Sequence, residues 1–298
     1  MREGVPSRTA AWVALMRGMG TLLPPSLQLV HDPFGLRFAG RWRALGDGGG
    51  RATARLWLRG RLYTTVLLMQ LRTRVLDDAV DAFVASGGRQ LVLLGAGFDC
   101  RAWRLSSLAG ATVYEVDHPA TQAKKRALME GEPTAARVVF IPWNFEAEPL
   151  DRLPVRLAAD GHDERSPSMT ISEGVLPYLT DDAVEATFAC VARYSSPAGP
   201  RSRFSFTYFD RSLLADTSRA ASSERLFVRL IGEPFRHGFE PERLPGWLHE
   251  RGWSLDRDES AVALAARLYA GADPALLRGM RHPHRARRHY AGATIVGG

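Results

Sequence analysis

The sequence predicts an α/β fold: a doubly wound, mostly parallel sheet of seven strands, preceded by a helical cap and interrupted by a helical insert. Two observations predict it. Short apolar runs recur at 90–94, 111–116, 137–141, 168–172 and 203–208, separated by helical stretches such as 119–130 and 181–194. Strands alternating with helices at this spacing build a parallel sheet with helices on both faces. The runs are also nearly continuous in apolar residues rather than alternating, as strands covered on both faces must be. Composition agrees, since 298 residues with 45% hydrophobic and 24% charged side chains can bury a sizeable core.

Residues 1–87 contain no strand pattern. A helix is expected over 9–19, then a break at Pro24-Pro25, a turn at Asp32-Pro33 and a loop at Gly48-Gly49-Gly50. A long helix follows over 64–83, closed by Gly87-Gly88, because glycine readily takes the backbone path that ends a helix. The apolar stretch 10–23 is interrupted by Arg17 and Gly18 and halted by the prolines, too short for a membrane span. It also lacks a basic leader and a small-residue cleavage site, so the cytoplasm is the expected compartment. After the fifth strand the alternation stops at 210–245, read as a mostly helical lid over the carboxyl edge of the sheet, where ligands bind in such folds. A short helix at 244–251 and strands at 253–255 and 291–296 complete the set. The expected division is therefore a cap over 1–87 and a core over 88–298 that carries the insert 210–245.

All basic residues except Lys124 and Lys125 are arginine, and the formal net charge is +7. Arginine suits phosphates and carboxylates, but the one dense cluster, Arg281 to His289, has a single aromatic neighbour, Tyr290, and no nucleic-acid motif around it. It reads as a solvated basic loop before the last strand, which disfavours a nucleic-acid partner. Cys100 and Cys190 stand far apart with no metal-binding spacing, so they read as plain thiols in a reducing interior, with no metal site.

The chemistry concentrates after residue 90. Leu91-Val-Leu-Leu-Gly-Ala-Gly-Phe-Asp99 carries a buried strand straight into a glycine turn, which lets the main chain approach a ligand closely. A dinucleotide-binding pattern would require a third glycine where this chain has Cys100. About twenty residues on, Glu115-Val-Asp117 ends the second strand, where an acid can accept ribose hydroxyls. Turn and acid together imply an adenosine-type ligand. S-adenosylmethionine has the ribose without the phosphates and fits this pattern better than NAD.

Three motifs, Gly95-Ala-Gly-Phe-Asp-Cys-Arg-Ala-Trp-Arg-Leu105, Tyr114-Glu-Val-Asp-His-Pro119 and Ser172-Glu-Gly-Val-Leu-Pro-Tyr-Leu179, closely resemble those of the leucine carboxyl methyltransferase superfamily, in that order. Ser7-Arg-Thr-Ala10, Asp32-Pro33 and Gly232-Glu-Pro-Phe235 extend the resemblance over nearly the whole chain. It implies the class I methyltransferase fold and S-adenosylmethionine as methyl donor, leaving S-adenosylhomocysteine. Arg72 matches the arginine that pairs with the donor's carboxylate, with Arg74 as a rival. Gly95 and Gly97 match the glycines against which its methionine portion lies, and Asp117 matches the ribose acid, with Glu115 structural or supporting. Trp143-Asn144-Phe145 departs from the family's Asp-Leu pair near the adenine. Asn144 keeps a hydrogen-bonding amide there, and Phe145 suits either the purine face or the core. Glu173 matches the acid on the methionine side, and Tyr178 the tyrosine that would touch the acceptor.

Methyl transfer from a sulfonium is an in-line displacement that demands alignment and dryness more than a covalent nucleophile. A carboxylate acceptor needs no base, whereas a phenol of pKa about 10 benefits from one. His31, His118 and His237 lie nearest the motifs, but no acid in the sequence is visibly placed to orient them. Phe227, Phe235, Phe239, Arg229, Arg236 and His237 in the insert would suit an aromatic acid. The leading expectation is an O-methyltransferase acting on a carboxylate or phenolic hydroxyl of a small, polyketide-like or aromatic natural product. Alternatives are a protein C-terminal carboxyl methyltransferase, a non-catalytic S-adenosylmethionine- or RNA-binding protein and, more distantly, an NAD oxidoreductase. The sequence leaves open the acceptor, the methylated atom and the oligomeric state.

Overall fold

Residues Gln90–Leu94 form β1, and all five are buried because β1 lies in the middle of the sheet. The computed structural model describes residues 6–46, 62–195, 202–216, 234–281 and 283–296. The remaining strands are β2 (Thr112–Asp117), β3 (Arg137–Pro142), β4 (Ser168–Ser172), β5 (Arg203–Phe209), β6 (Trp253–Ser260) and β7 (Arg288–Ile295). They assemble in the order β3-β2-β1-β4-β5-β7-β6, with β7 antiparallel to both neighbours and the other pairings parallel.

Successive side chains of a strand face opposite sides, and here both sides are apolar. Leu91, Leu93, Met169 and Ile171 enter one core with α1 (Arg8–Met19), α2 (Leu62–Ala85) and, further along the chain, Leu264 and Ala265 of a C-terminal helix. Val92, Leu94, Phe204 and Phe206 enter the other, beneath Leu153 and Leu157, Phe188 and Val191, and Leu248. The helices of that second layer are α4 (Leu153–Ala159), α5 (Asp181–Tyr194) and α6 (Leu244–His249), after α3 (Pro119–Leu128); α7 is Ala261–Leu268. Ser7 caps α1 by accepting the Ala10 amide at 3.0 Å, and Gly87, at φ 96°, closes α2.

Two expectations are corrected at the far edge. The basic run is not all loop: Arg288 and His289 begin β7, opposite Phe209 and Tyr208, and Arg285 to His289 are half-buried. The Arg288 guanidinium lies 4.8 Å from the Phe209 ring centroid, a packing role that a count of charges does not reveal. Strand β6 continues past Leu255 to Ser260 through polar residues, because at the sheet edge its outer side meets solvent and a register shift interrupts the alternation. Of the expected helical insert, the described part is one turn, Ser212–Ala215, and a non-helical segment from Pro234 that pairs Phe239 with Asp210. Phe227, Arg229 and Gly48 to Gly50 lie outside the described residues. Among the described residues no helix is long and apolar enough to cross a membrane.

Candidate cofactor and acceptor site

The chain winds from β1 outward to β3 and then crosses back to β4, so the sheet order reverses at β1. The carboxyl ends of β1, β2 and β4 flank the crevice that such a reversal opens. At its centre Gly95 and Gly97 take φ of 71° and 52°, the left-handed region that glycine enters without strain. The amides of Gly95 and Ala96 both donate to the Val116 carbonyl, at 2.9 and 3.1 Å. Asp117 then pins the turn from below: the amides of Gly97 and His118 each donate to one of its carboxylate oxygens at 2.6 Å. A β-carbon at Gly95 would stand 2.5 Å from Val175, so the loop after β4 packs directly on the turn. Burial raises the Asp117 pKa, against the two amide bonds that oppose it.

Glu173, just past β4, sits between two arginines. Arg72 of α2 donates from Nε at 2.7 Å, and Nη2 of Arg101 lies 2.9 Å away, close enough to pair although off the hydrogen-bond direction. Arg101 is only 1% exposed and also pairs with Asp77, at 2.8 Å, and with Asp99. Arg104 donates to both oxygens of Asp77, at 2.6 and 2.7 Å. Burial pushes the Glu173 pKa up, but Arg72, Arg101 and Arg17 together hold it well below the carboxylate range, so it stays ionised. The rival Arg74 pairs with Asp78 one helical turn on, its side chain 45% exposed. Of these two rivals, Arg72 is the one that reaches Glu173.

The N-terminal cap is bolted to the same turn. Arg17 of α1 donates from Nε to Asp32 at 2.9 Å and from Nη2 to the Phe98 carbonyl. The Ser7 amide donates to Thr121 at 3.1 Å, and Ala10 lies so close to Gly97 that a β-carbon there would be 3.1 Å away. Phe98 stacks on Phe38 with ring centroids 4.5 Å apart. Glu115 is structural: fully buried, it accepts from Lys125 at 2.7 and 2.6 Å, and burial lifts its pKa to about 7 despite that lysine. Both cysteines are free and buried; burial pushes the Cys190 thiol up to about 12 and raises Cys100 further.

The leucine carboxyl methyltransferase family model matches residues 10–192, which take in the glycine turn, Asp117, Glu173 and Arg72. The chain belongs to the leucine carboxyl methyltransferase family. A Frankia alni protein, provisionally named an S-adenosyl-L-methionine-dependent methyltransferase, is 33% identical over 85% of this chain and 86% of its own. A Mycobacteroides abscessus protein with the same provisional name is 32% identical over 86% of this chain and 87% of its own. Among solved structures, a DUF574 family protein of Streptomyces avermitilis superposes with a TM-score of 0.58 over 97% of this chain and 98% of its own, at 15% identity. Geranyl diphosphate methyltransferase, solved in complex with SAM, gives 0.51 over 84% of this chain and 92% of its own, at 13% identity. At such identities they show the fold alone, the class I methyltransferase fold.

In this family member Asn144 and Phe145 follow β3, and Tyr178 follows β4. After β3 the Trp143 amide donates to the Asp117 carbonyl at 2.8 Å, so the segment begins beside the β2 acid. Asn144 closes its own turn, its side-chain oxygen accepting the Glu146 amide at 3.1 Å. Phe145 does not pack in the core; it is 37% exposed. Tyr178 ends the 3-10 turn Leu176–Tyr178, half-buried, its ring centroid 5.4 Å from that of Phe235. Of the histidines, His31 is exposed and His118 caps α3 by accepting the Ala120 amide at 3.2 Å. His237 corrects the expectation that no acid orients it: its Nδ1 lies 2.6 Å from Asp181. Reading the sequence also missed Arg101, Asp77 and Asp99. Asp99 and Arg101 stand inside the quoted glycine motif, which was the available signal; Asp77 left none.

Proposed function

We propose that this methyltransferase transfers a methyl group from S-adenosylmethionine to an oxygen, the carboxylate or phenolic hydroxyl of a small polyketide-like or aromatic acceptor. The arrangement that carries the reading is the ionised Glu173 beside Arg72, one loop away from the glycine turn and Asp117. These residues fit the donor's groups. The Nη atoms of Arg72 carry no hydrogen bond among the described residues, and a guanidinium pairs bidentately with an amino-acid carboxylate. Glu173 answers the cationic groups next to it. Asp117 spends one bond per oxygen on the backbone, and a carboxylate has about four acceptor positions, so it can still take ribose hydroxyls. Asn144 and Phe145 flank the adenine in this reading, and Tyr178 contacts the acceptor.

Bound S-adenosylmethionine supplies an electrophilic methyl group on a sulfonium sulfur. The chain's own work is alignment and exclusion of water: the glycine turn lets the backbone approach, and α1, tied down through Arg17, packs against that turn. Two buried free thiols suit a reducing compartment, the cytoplasm. The family's description favours a second reading, methylation of a peptide C-terminal carboxylate.

Calorimetric titration with S-adenosylmethionine, S-adenosylhomocysteine and NAD tests the cofactor. Binding of the first two only, weakened tenfold or more in Asp117→Ala, is expected; saturable NAD binding would overturn the assignment. Tritium transfer to a panel of aromatic acids and phenols, against peptides ending in leucine, then separates the two acceptor readings.

A further inference from the structure

A groove of about 220 Å³ runs between the N-terminal end of α5 and α6, and none of its lining residues is among those assigned to the cofactor. Its floor is apolar and aromatic: Leu244, Phe239 and Trp247, the last two with ring centroids 4.9 Å apart. A cavity of about 150 Å³ holds benzene, so one or two fused rings fit here. The charges at its rim are matched, Asp181 with Arg211 at 3.1 Å, Glu240 with Arg243 at 2.8 Å, and Glu185 with Arg251, just beyond the lining, at 2.6 Å. A rim without net charge selects against an ionic ligand.

His237 lines this groove and is 5% exposed. The amides of Arg236 and His237 both donate to the Pro177 carbonyl, at 2.8 and 3.2 Å, which ties the segment to the loop that follows Glu173. The imidazole stands edge-on to Phe239, with centroids 4.5 Å apart. Asp181 at Nδ1 selects the tautomer with its proton on that nitrogen, so Nε2 is left as a hydrogen-bond acceptor. That Nε2 is buried and has no partner among the described residues. Buried polar atoms are nearly always paired, and an orphan on a side chain that lines a groove is a position for a ligand's donor.

We infer that this groove binds a neutral, flat one- or two-ring ligand whose hydroxyl or ring N–H donates to Nε2 of His237. The ring belongs either to the distal part of the methyl acceptor or to a separate ligand; the recognition chemistry is the same. The inference goes beyond the O-methyl reading and does not depend on it.

The test is titration of the full chain with 2-naphthol and with 2-methoxynaphthalene, which keeps the rings and lacks the donor. The expected result is one saturable site, about tenfold tighter for the naphthol, the size of one net hydrogen bond. His237→Leu is expected to erase that preference. In the wild-type chain, nuclear Overhauser contacts from the probe's ring protons to the Trp247 indole place it without any variant. Equal affinity for the two probes, an undiminished preference in His237→Leu, or contacts elsewhere would overturn the inference. Tritium passing from labelled S-adenosylmethionine into the second hydroxyl of bound 2,6-dihydroxynaphthalene marks the ring as part of the acceptor, and binding of that probe without transfer marks a separate ligand. Both keep the groove, whereas absence of transfer to every oxygen acceptor overturns only the O-methyl reading.

Discussion

At the Arg101 guanidinium three carboxylates meet, from Asp77, Asp99 and Glu173, in a place water scarcely reaches. Breaking one partner out of a buried ion cluster strands the opposite charges, at a cost of about 3–5 kcal/mol. Arg101→Met is therefore expected to lower the unfolding free energy in urea by that amount, while Arg74→Met, at an exposed pair, should cost less than about 1 kcal/mol. Equal losses would mean that the cluster is not what holds Glu173. His162 offers a pH test. It is buried between the rings of Tyr114 and Tyr194, and desolvation lowers its pKa from 6.5 to about 4. A depressed folded-state pKa gives stability that is complete above pH 6.5 and lost as pH falls towards 4, here about 3 kcal/mol. His162→Phe should flatten the stability curve over that window, and an unchanged slope would place the titration elsewhere. The raised pKa of Glu115 acts with the opposite sign, so it cannot imitate this loss.

Among the elements, α1 reaches the glycine turn through the Arg17 side chain. Arg17→Met removes its ties to Asp32 and to the Phe98 carbonyl. Hydrogen exchange in α1 is expected to speed up by tenfold or more while β1 and β2 keep their protection, the pattern of local rather than global opening. Uniform loss of protection would show that the cap and the sheet unfold together. The elements also show where sequence patterns stop informing. Strands β1 and β4 and helix α5 were legible at their observed bounds, because short apolar runs and the helical stretch between two of them mark these elements locally. The last residues of β6 and the first of β7 were not, since polar side chains at a sheet edge satisfy the strand ladder without leaving an apolar trace.

For the whole molecule, ligand binding and folding share one free energy. S-adenosylmethionine at about 100 times its dissociation constant should add about 2.7 kcal/mol of stability, read as a rise of several degrees in unfolding temperature that Asp117→Ala largely loses. No rise in the wild-type chain would remove the cofactor from the reading. At this scale the alternation of strands and helices was enough to predict a doubly wound sheet, since each apolar strand demands cover on both faces. The glycine turn, Asp117 and Glu173 could be read as candidates too, because each stands at a strand end in a motif the chain spells out consecutively, whereas Arg72 came from the family resemblance alone. The partnerships of Glu173 with Arg101, of Arg17 with the Phe98 carbonyl and of His237 with Asp181 were not legible. They join residues brought together by the crossing back to β4, the cap and the segment after β5, and a charge pairs with whatever the tertiary fold sets within a few ångströms. Local pattern and backbone chemistry thus determined the sheet and the turn, while the electrostatic state of the site was decided by long-range proximity, which no single segment encodes.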